Sequence, residues 1–426
     1  MPIHLYLAIG YTGFCGVFFP DLVAGKIFRQ VEAGVIIAVD ARPLMNRQIS
    51  GTEQHARNIV AQWAAMAQRG ESLAAHQFLL LCDKGQLANS EIFDTTFIDA
   101  LPAAQFRRIA VRDFHLLPRF FIGVRILHAL SRLLAREQVQ VYHSFTPLVP
   151  RTSVCPVIQT IHDLSCELDS TVRQRPENRQ LRRLTRLGAT RAQRIIAVSS
   201  QTKNDIESIF QVPSERIAVV YNGINPVFVP TSDADMRFQL RQRYNLAGPF
   251  ILAVGSDIPR RNYARLLEAM KILWLSEPHV RLVVTGRNDW LLSPLFQRVQ
   301  AAGVTDKITF IQAPTDPELA ELYRMATLTC CASSFEGFGM SVLESMACGT
   351  PVTCSDMRSL REVADEAAVY FPHDDAAIMG ESLLGLLEDV EYRRQLKYRG
   401  LSRATLFTWE TAARLIWDAL EQVAAG

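Results

Sequence analysis

The stretch that most constrains the fold is residues 334–352, which reads Ser-Phe-Glu-Gly-Phe-Gly-Met-Ser-Val-Leu-Glu-Ser-Met-Ala-Cys-Gly-Thr-Pro-Val. An apolar run at 326–332 precedes it and indicates a buried strand. The chain then passes Gly337 and Gly339, and a helical pattern begins near Met340. A glycine loop that enters a helix points free backbone N–H groups outward at the positive end of the helix dipole. This order of elements therefore favours phosphate binding.

Two carboxylates frame this loop, Glu336 just before the turn and Glu344 one turn inside the predicted helix. Carboxylates accept hydrogen bonds from sugar hydroxyls, so an acid on each side of a phosphate-binding loop suits a ligand that joins a diphosphate to a sugar. The alternative is an ordinary strand-to-helix turn in which both carboxylates are solvated. The residues by themselves favour neither interpretation over the other.

The spacing of the two glutamates around Gly-Phe-Gly resembles the glutamate-pair motif of retaining glycosyltransferases of family 4. This resemblance implies the GT-B fold, an α/β architecture of two Rossmann-like parallel-sheet domains that face each other across a cleft. It covers residues 35–426, with its most specific motifs in the second half. It also implies front-side attack with retained configuration, no metal held by the enzyme, and no cofactor besides a nucleotide-sugar donor.

The length of the chain permits two domains, since 426 residues are enough for two full hydrophobic cores. We predict a Rossmann-like acceptor domain at 35–228 and a Rossmann-like donor domain at 229–408. The resemblance implies that a C-terminal helix at 409–426 crosses back to the first domain. The eight cysteines show no paired spacing, which favours a reducing cytoplasm over a disulfide framework or a zinc site.

Residues 1–34 are an apolar extension before the first family-like strand, which begins at Val35. Its apolar part is shorter than the roughly 20 residues that a spanning helix needs, and it lacks the basic start of a signal peptide. Three interpretations remain open. The extension is a weak membrane anchor, a packed extra segment, or translated sequence upstream of the true start, and we favour the last.

Two other strand-to-helix turns also offer backbone amides to an anion. Gly51 precedes the first predicted helix, and a later turn contains Gly255 and Ser256 together with two fixed cations, Arg260 and Arg261. Guanidinium groups pair well with phosphate. In the family, a lysine commonly stands where Arg261 stands, and some relatives carry an arginine where Ser256 stands.

A histidine and an aspartate, His162 and Asp163, follow the predicted strand at 157–161. The carboxyl ends of parallel strands are where open α/β sheets bind ligands. An isolated His-Asp pair is more often structural. The position, however, matches a family histidine that approaches the transferred sugar, so the resemblance predicts that His162 lines that sugar.

The resemblance implies a role for each remaining candidate. Glu336 would hold the hydroxyls of the transferred sugar, and Glu344 would hold the ribose of the nucleotide. Two arginines and four backbone amides would take the phosphate charge, namely Arg260, Arg261 and the amides of Phe338, Gly339, Met340 and Ser341. Gly51, Gly255 and Ser256 would complete the donor site.

The motifs Val-Asp-Ala-Arg, Ile-His-Asp-Leu and Tyr-Asn-Gly-Ile most resemble bacterial mannosyltransferases of polysaccharide assembly. They make GDP-mannose the first expectation for the donor. The expected acceptor is a saccharide or a lipid-linked hydroxyl in polysaccharide, lipopolysaccharide or glycolipid synthesis. The alternatives are a noncatalytic protein or a sugar-nucleotide epimerase on the same fold, or a glycoside hydrolase, which would need no phosphate cradle.

An arginine-rich segment at 173–194 holds eight arginines against the single acid Glu177. An anionic membrane surface or a phosphate-linked lipid would satisfy them, and a helical pattern at 120–135 with Arg125 and Arg132 could lie on the same surface. We therefore expect a cytoplasmic protein, peripheral at the inner face of the cytoplasmic membrane. Packed helices with solvated arginines are the alternative. No aromatic residue interleaves the arginine run, which argues against nucleic acid.

No convincing Asp-x-Asp metal motif appears in the sequence. Asp233 and Asp235 have that spacing, but they precede a helical segment in the predicted linker. Acidic residues at this position stabilise the amino end of a helix. We therefore interpret the pair as helix-end charge.

Overall fold

The computed structural model describes residues 34–47, 50–89, 93–111, 122–150, 154–174, 178–287 and 289–425, without the side chains of 122–127, 170 and 171. The three interpretations of the N-terminal extension concern residues outside this described part. The side chain of Arg125 also lies outside it, as do Arg175 and Glu177.

Seven strands form the sheet of the first half of the chain. In chain order they are β1 (Ile36–Asp40), β2 (Gln77–Asp83), β3 (Phe106–Val111), β4 (Val141–Ser144), β5 (Val157–Ile161), β6 (Arg194–Ala197) and β7 (Ile217–Val219). The helices of this half are α1 (Gly51–Gln68), α2 (Lys84–Ala88), α3 (Thr96–Asp99), α4 (Ile122–Arg136), α5 (Ser165–Leu168), α6 (Ser170–Arg173), α7 (Asn178–Arg191) and α8 (Ser200–Phe210).

Six strands form the sheet of the second half. They are β8 (Phe250–Val254), β9 (Arg281–Gly286), β10 (Ile308–Gln312), β11 (Leu328–Cys331), β12 (Val352–Ser355) and β13 (Ala368–Phe371). The helices are α9 (Ala234–Tyr244), α10 (Tyr263–Ser276), α11 (Pro294–Ala301), α12 (Asp316–Met325), α13 (Met340–Ala347), α14 (Arg358–Ala364), α15 (Ala376–Glu388), α16 (Val390–Ala404) and α17 (Trp409–Ala425).

Both sheets are built from parallel strand pairs. The strand orders are β3-β2-β1-β4-β5-β6-β7 and β10-β9-β8-β11-β12-β13. The order reverses beside β1 in the first sheet and beside β8 in the second, and such a reversal leaves a crevice at the carboxyl ends of the strands. The predicted fold class, two Rossmann-like parallel-sheet domains, is confirmed.

Apolar runs explain why these segments become central strands. All five residues of β5 are buried, and so are all four of β11. A parallel strand covered by helices on both faces loses contact with water on both, so its sequence is apolar without alternation. The adjacent cysteines of β11, Cys330 and Cys331, are buried there as small core residues.

The C-terminal helix α17 packs against α1 of the first half. The indole Nε1 of Trp63 donates to the carbonyl oxygen of Ala413 at 3.1 Å, and that of Trp417 donates to Ser72 Oγ at 3.1 Å. Apolar side chains of both helices belong to one hydrophobic cluster with residues of β1 and β2. The last helix of the chain therefore completes the core of the first sheet.

The loop after β11 lies against the amino end of α8. Ser199 Oγ donates to the carbonyl oxygen of Gly337 at 2.7 Å. The Glu362 carboxylate of α14 accepts from the backbone N–H groups of Ser200 and Gln201 at 2.6 and 2.8 Å. Since an exposed helix amino end attracts a carboxylate, these contacts hold the two sheets' carboxyl ends close together.

Among the described helices, none combines the length and the apolar composition that crossing a bilayer requires.

Candidate functional site

The loop between β11 and α13 depends on Gly339. Its φ angle is +113°, a region that residues with side chains rarely adopt. A Cβ at this position would lie 2.6 Å from Leu360 Cδ2. Glycine is therefore required both for the backbone angle and for the close packing of α14, and α13 begins at the next residue, Met340.

Glu336 is the buried centre of this loop. Its Oε2 accepts from Arg260 Nη1 at 3.1 Å, its Oε1 accepts from Ser333 Oγ at 2.7 Å, and its Oε1 also pairs with Arg261 Nη1. Burial opposes ionisation, but the charges of Arg261 and Arg260 outweigh it and hold the pKa of Glu336 below its ordinary value. The predicted phosphate-binding arginines and the predicted sugar-binding carboxylate thus form one cluster.

Arg261 has hydrogen-bonding capacity beyond this cluster. Its buried Nε–H has no hydrogen-bond partner among the described residues. Gly255 lets the guanidinium lie close to the turn, because a Cβ there would be 2.6 Å from Arg261 Nε. Ser256 Oγ accepts from the backbone N–H of Arg287 at 3.2 Å and joins this turn to the end of β9.

Glu344 lies in a different environment from Glu336. Tyr323 of α12 donates its hydroxyl to Glu344 Oε2 at 2.9 Å, and the carboxyl is 7% exposed. Burial raises the pKa of Glu344 to about 8, against the opposing effect of the Tyr323 hydrogen bond. Glu344 therefore carries a proton at neutral pH in this structure, whereas Glu336 is ionised.

The raised pKa of Glu344 makes the stability of the fold depend on pH. The folded state retains this proton between pH 4.5 and about 8 while the unfolded chain releases it. The free energy of unfolding should therefore fall as pH rises through this window, by about 1.4 kcal/mol per pH unit from this group. We expect the unfolding free energy of the native chain minus that of Glu344→Gln, measured in urea between pH 6.5 and 8, to fall with this slope.

Buried histidines also make the stability depend on pH, mainly below this window. The pKa values of His55, His143 and His162 are lowered to about 3, 3 and 4, chiefly by burial. Their contribution to stability is nearly complete by about pH 7.5 and is lost as pH falls, and because both chains share it, the difference between the two profiles isolates Glu344. Parallel profiles for the native chain and Glu344→Gln above pH 6.5 would contradict the prediction for Glu344.

His162 follows β5, and the loop between β11 and α13 contacts it. A Cβ on Gly337 would overlap the carbonyl oxygen of His162 and would lie 2.8 Å from Asp163 Cβ. The imidazole bonds the backbone of Phe145, and its buried Nε2 has no hydrogen-bond partner among the described residues. The structure thus brings His162 next to the loop that carries Glu336, although 174 residues separate them in sequence.

Sequence analysis missed the polar groups around His162. The His55 ring packs edge-on against His162 with centroids 5.0 Å apart, and His55 Nδ1 lies 2.8 Å from Asn222 Oδ1. Farther along, His143 Nε2 lies 3.0 Å from Thr160 Oγ1. No sequence signal marks these histidines, since each occurs singly and they meet only in the folded core.

The structure gives Gly51 the position of the first residue of α1. Ser50 caps this helix, and Glu53 accepts from the backbone N–H of Ser50 at 2.8 Å, which closes a capping box. A Cβ at Gly51 would meet no atom within 4 Å. Close packing therefore does not require a glycine at position 51, and the donor-binding role of Gly51 stays a prediction.

The residues after Glu336 are mostly buried. The Phe338 ring lies between those of Tyr221 and Phe407, at centroid distances of 6.1 and 5.9 Å. Ser341 is buried, and Met340 is partly buried at the junction of two hydrophobic clusters. Their side chains therefore pack the loop, which leaves their backbone amides as the groups available to a phosphate.

Metal binding has no support in the described side chains, where no group of three His, Cys, Asp or Glu could hold an ion. Asp233 caps α9, its carboxylate accepting from the backbone N–H of Met236 at 3.0 Å, and Asp235 lies in the first turn. The interpretation of this pair as helix-end charge is confirmed. Metal-independent transfer stays a prediction.

The arginine-rich segment is only partly free for an external ligand. Arg182 pairs with Glu167 of α5 at 2.9 Å, and Arg186 lies 3.9 Å from the same carboxylate. Arg194 donates to the carbonyl oxygen of Glu215 at 2.6 Å. Arg179 and Arg183 are exposed on α7. The segment thus combines internal ion pairs with a smaller exposed basic face.

Two family models match the chain over most of its length. The model described as Glycosyltransferase Family 4 matches residues 49–228, and the model described as Glycosyl transferases group 1 matches residues 237–403. The first match contains β2 to β7 and the second contains β8 to β13. The loop that carries Glu336 and Glu344 falls inside the second match.

Three individual proteins show the same likeness. The O-antigen chain mannosyltransferase B of Escherichia coli is 27% identical over 328 residues, which cover 74% of this chain and 85% of that protein. The O-antigen chain mannosyltransferase RfbU of Salmonella typhimurium is 33% identical over 192 residues, 45% of this chain and 50% of that protein. The structure of sucrose-phosphate synthase from Thermosynechococcus elongatus aligns with a TM-score of 0.72 at 21% identity, over 92% of this chain and 99% of the other.

Proposed function

Because this chain is a glycosyltransferase of family 4, group 1, we propose that it transfers a hexose, with mannose as the first expectation, from a nucleotide-sugar donor to a hydroxyl acceptor. The acceptor is a saccharide or a lipid-linked hydroxyl in polysaccharide, lipopolysaccharide or glycolipid synthesis. Transfer retains the configuration and uses no metal. The observation that carries this proposal is the Glu336 carboxylate, buried between Arg260 and Arg261 in the loop whose Gly337 lies against the His162 backbone.

The chemistry requires charge to be stabilised at two places. The bond between the anomeric carbon and the diphosphate breaks, the bond from that carbon to the acceptor oxygen forms, and the acceptor proton leaves with the diphosphate. Negative charge develops on the departing phosphate and positive charge on the sugar ring. The guanidinium groups of Arg260 and Arg261 would stabilise the negative charge on the phosphate. The ionised Glu336 carboxylate would stabilise the positive charge on the sugar ring, in a site shielded from water.

Arg261 is the group we assign to the departing diphosphate. Its guanidinium already lies in the turn after β8, and its Nε–H has no partner among the described residues, so it can bond an incoming phosphate oxygen without first breaking a contact. The neighbouring Gly339 and Met340 bring backbone N–H groups of the α13 amino end to the same ligand. Because its pKa is lowered, Glu336 stays ionised, and its carboxylate can accept hydrogen bonds from the sugar hydroxyls.

The donor assignment rests on resemblance. The two sequence relatives described above are named as mannosyltransferases of the O-antigen chain, which supports mannose and therefore GDP-mannose. Glu344 would hold the ribose of this nucleotide, and the Tyr323 hydroxyl would orient its carboxyl. A noncatalytic protein on the same fold would bind a nucleotide sugar without turnover, so binding and transfer have to be measured separately.

We expect Arg261→Ala to remove at least about half of the thermal shift that a nucleotide sugar produces. A donor at about a hundred times its dissociation constant adds about 2.7 kcal/mol to stability. Loss of a charge-assisted contact to phosphate costs about 1.5–3 kcal/mol of binding, which raises the dissociation constant at least tenfold. The measurement is the increment in melting temperature with GDP-mannose, UDP-glucose, GDP and UDP, each with and without EDTA.

The matched control is Arg265→Ala, because Arg265 is exposed on the adjoining helix α10. It should leave the ligand-induced increment unchanged. No increment with any nucleotide in the native chain would refute the transferase proposal, and an increment that EDTA removes would refute metal independence.

We also propose that the exposed arginines of α7 bring the protein to the inner face of the cytoplasmic membrane. We expect binding to vesicles with 30% anionic lipid at low salt and release at high salt, because screening weakens exposed charges. Reversing Arg179 and Arg183 to glutamate should lower the bound fraction several-fold in a sedimentation assay. Reversal of Arg241, exposed on α9, is the control, and equal binding of both variants would contradict the proposal.

A further inference from the structure

A cavity of about 170 Å³ opens between the first helix of one half of the chain and the first turn of α12 in the other. Four of its lining residues follow one stripe of α1, at helical spacing. The full lining is Gln54, Arg57, Asn58, Ala61, Phe97, Asn225 and Asp316. None of these residues takes part in the donor site described above, and none was singled out from the sequence.

The guanidinium of Arg57 is fixed in the wall of this cavity. Its Nε donates to the carbonyl oxygen of Leu44 at 3.0 Å, and its Nη2 donates to that of Asn46 at 2.8 Å. The group lies over the Phe97 ring, 5.7 Å from the centroid. A planar donor group held by three contacts has lost its rotational freedom before any ligand arrives, which favours binding.

The charges around the cavity offset one another. Asp94 and Glu53 act electrostatically on Arg57, and Asn225 Nδ2 donates to Asp316 Oδ2 at 3.3 Å. The remaining polar groups, Gln54 and Asn58, are neutral amides that can donate and accept. A phosphate would meet the Asp316 carboxylate, and a wholly apolar ligand would remove water from the Gln54 amide. The Phe97 ring and Ala61 add an apolar surface beside these amides, so the lining suits a neutral ligand with both hydroxyl groups and apolar faces, such as a sugar ring.

The cavity adjoins the predicted donor site through Arg287. The backbone N–H of Arg287 donates to Ser256 Oγ in the turn after β8. Its guanidinium interacts electrostatically with Glu53 of α1 and with Asp316 in the cavity lining. A ligand in the cavity would thus lie at one end of the cleft, with Arg287 between it and the turn that carries Arg261.

We propose that this cavity binds a saccharide unit of the acceptor, beyond the unit that receives the transferred sugar. The assignment to an acceptor rests on the proposed function, whereas saccharide binding follows from the lining alone. Because α1 and α12 belong to different halves of the chain, a saccharide here contacts both. An acceptor of three or more units therefore binds more tightly than a simple glycoside.

The test measures direct binding of α-mannotriose, maltotriose and chitotriose to the intact chain by calorimetry and saturation-transfer NMR. We expect at least one trisaccharide to bind. Ala61→Trp, which fills the cavity, should weaken that binding at least tenfold, and Gln54→Ala should weaken it about fivefold through one lost hydrogen bond. Gln68→Ala, at the exposed far end of α1, is the matched control and should bind as the native chain does.

Three outcomes overturn the inference. Binding of none of the trisaccharides does so, as does equal binding by the native chain, Ala61→Trp and Gln54→Ala. If Ala61→Trp weakens GDP-mannose as much as the trisaccharide, the cavity belongs to the donor. Circular dichroism establishes that each variant is folded. If nucleotide sugars produce no thermal shift but Ala61→Trp abolishes trisaccharide binding, the proposed transfer fails while the saccharide site stands.

Discussion

Glu336→Gln is expected to lower the rate of sugar transfer by about 10²–10³-fold. Glutamine has nearly the same shape, so the loop keeps its packing, but it lacks the charge that opposes the developing positive charge of the sugar. It also leaves Arg260 and Arg261 facing a neutral group in a buried site. The measurement is nucleoside diphosphate release and glycoside formation with saturating donor and acceptor.

The same substitution should also destabilise the fold. Breaking a buried ion pair by removing one partner costs about 3–5 kcal/mol, and the lower figure applies because the arginine side chains keep about a fifth of their surface exposed. Urea unfolding measures this loss. The matched control is Glu268→Gln, whose carboxylate pairs with Lys271 on the surface of α10. It should change stability by less than about 1 kcal/mol. A transfer rate within threefold of the native value in Glu336→Gln would rule out the role assigned to this carboxylate.

Gly337→Ala is expected to separate the donor loop from His162. The added methyl group would overlap the carbonyl oxygen of His162, which is backbone and cannot rotate away. The loop would also lose its hydrogen bond from Ser199 Oγ to the Gly337 carbonyl oxygen. A displacement of about 1 Å at a reacting centre costs about 10²-fold in rate, so transfer should fall by about that factor while the two sheets remain folded.

The control for this prediction is Gly248→Ala, because a Cβ at Gly248 would meet nothing within 4 Å. Both variants should melt within a few degrees of the native chain, but only Gly337→Ala should lose transfer. Donor binding should survive in Gly337→Ala, since Arg261 and the α13 amino end lie on the same side of the contact. A variant with native transfer rates would show that the contact between Gly337 and His162 is not needed during turnover.

Much of the fold could be predicted because its signals are local. Central strands such as β5, β8 and β11 are short apolar runs between helical patterns, and burial on both faces enforces that composition. Gly339 marked the sharp entry into α13, because only glycine adopts its backbone angle without strain. Glu336 stood out by its position beside that turn.

The contacts between candidates could not be predicted, because they join distant parts of the chain. Arg261 meets Glu336 across 75 residues, and Gly337 meets His162 from the opposite sheet. Glu344 and Glu336 look equivalent in sequence, yet one lies against Tyr323 and holds a proton while the other lies between two arginines and is ionised. The protonation state of a carboxyl depends on burial and on neighbouring charge, which spacing in sequence does not specify.

The sequence by itself thus determined the alternation of strands and helices and the glycine loop with its carboxylates, because apolar periodicity and backbone angle are properties of neighbouring residues, and the family resemblance implied the two parallel sheets. Only the tertiary structure decided which side chains meet in the cleft, which carboxyl is charged, and that α1 and α12 line one open cavity. These features depend on how two sheets pack through contacts such as Ser199 with Gly337 and Glu362 with α8, and their energies arise between residues far apart in the chain.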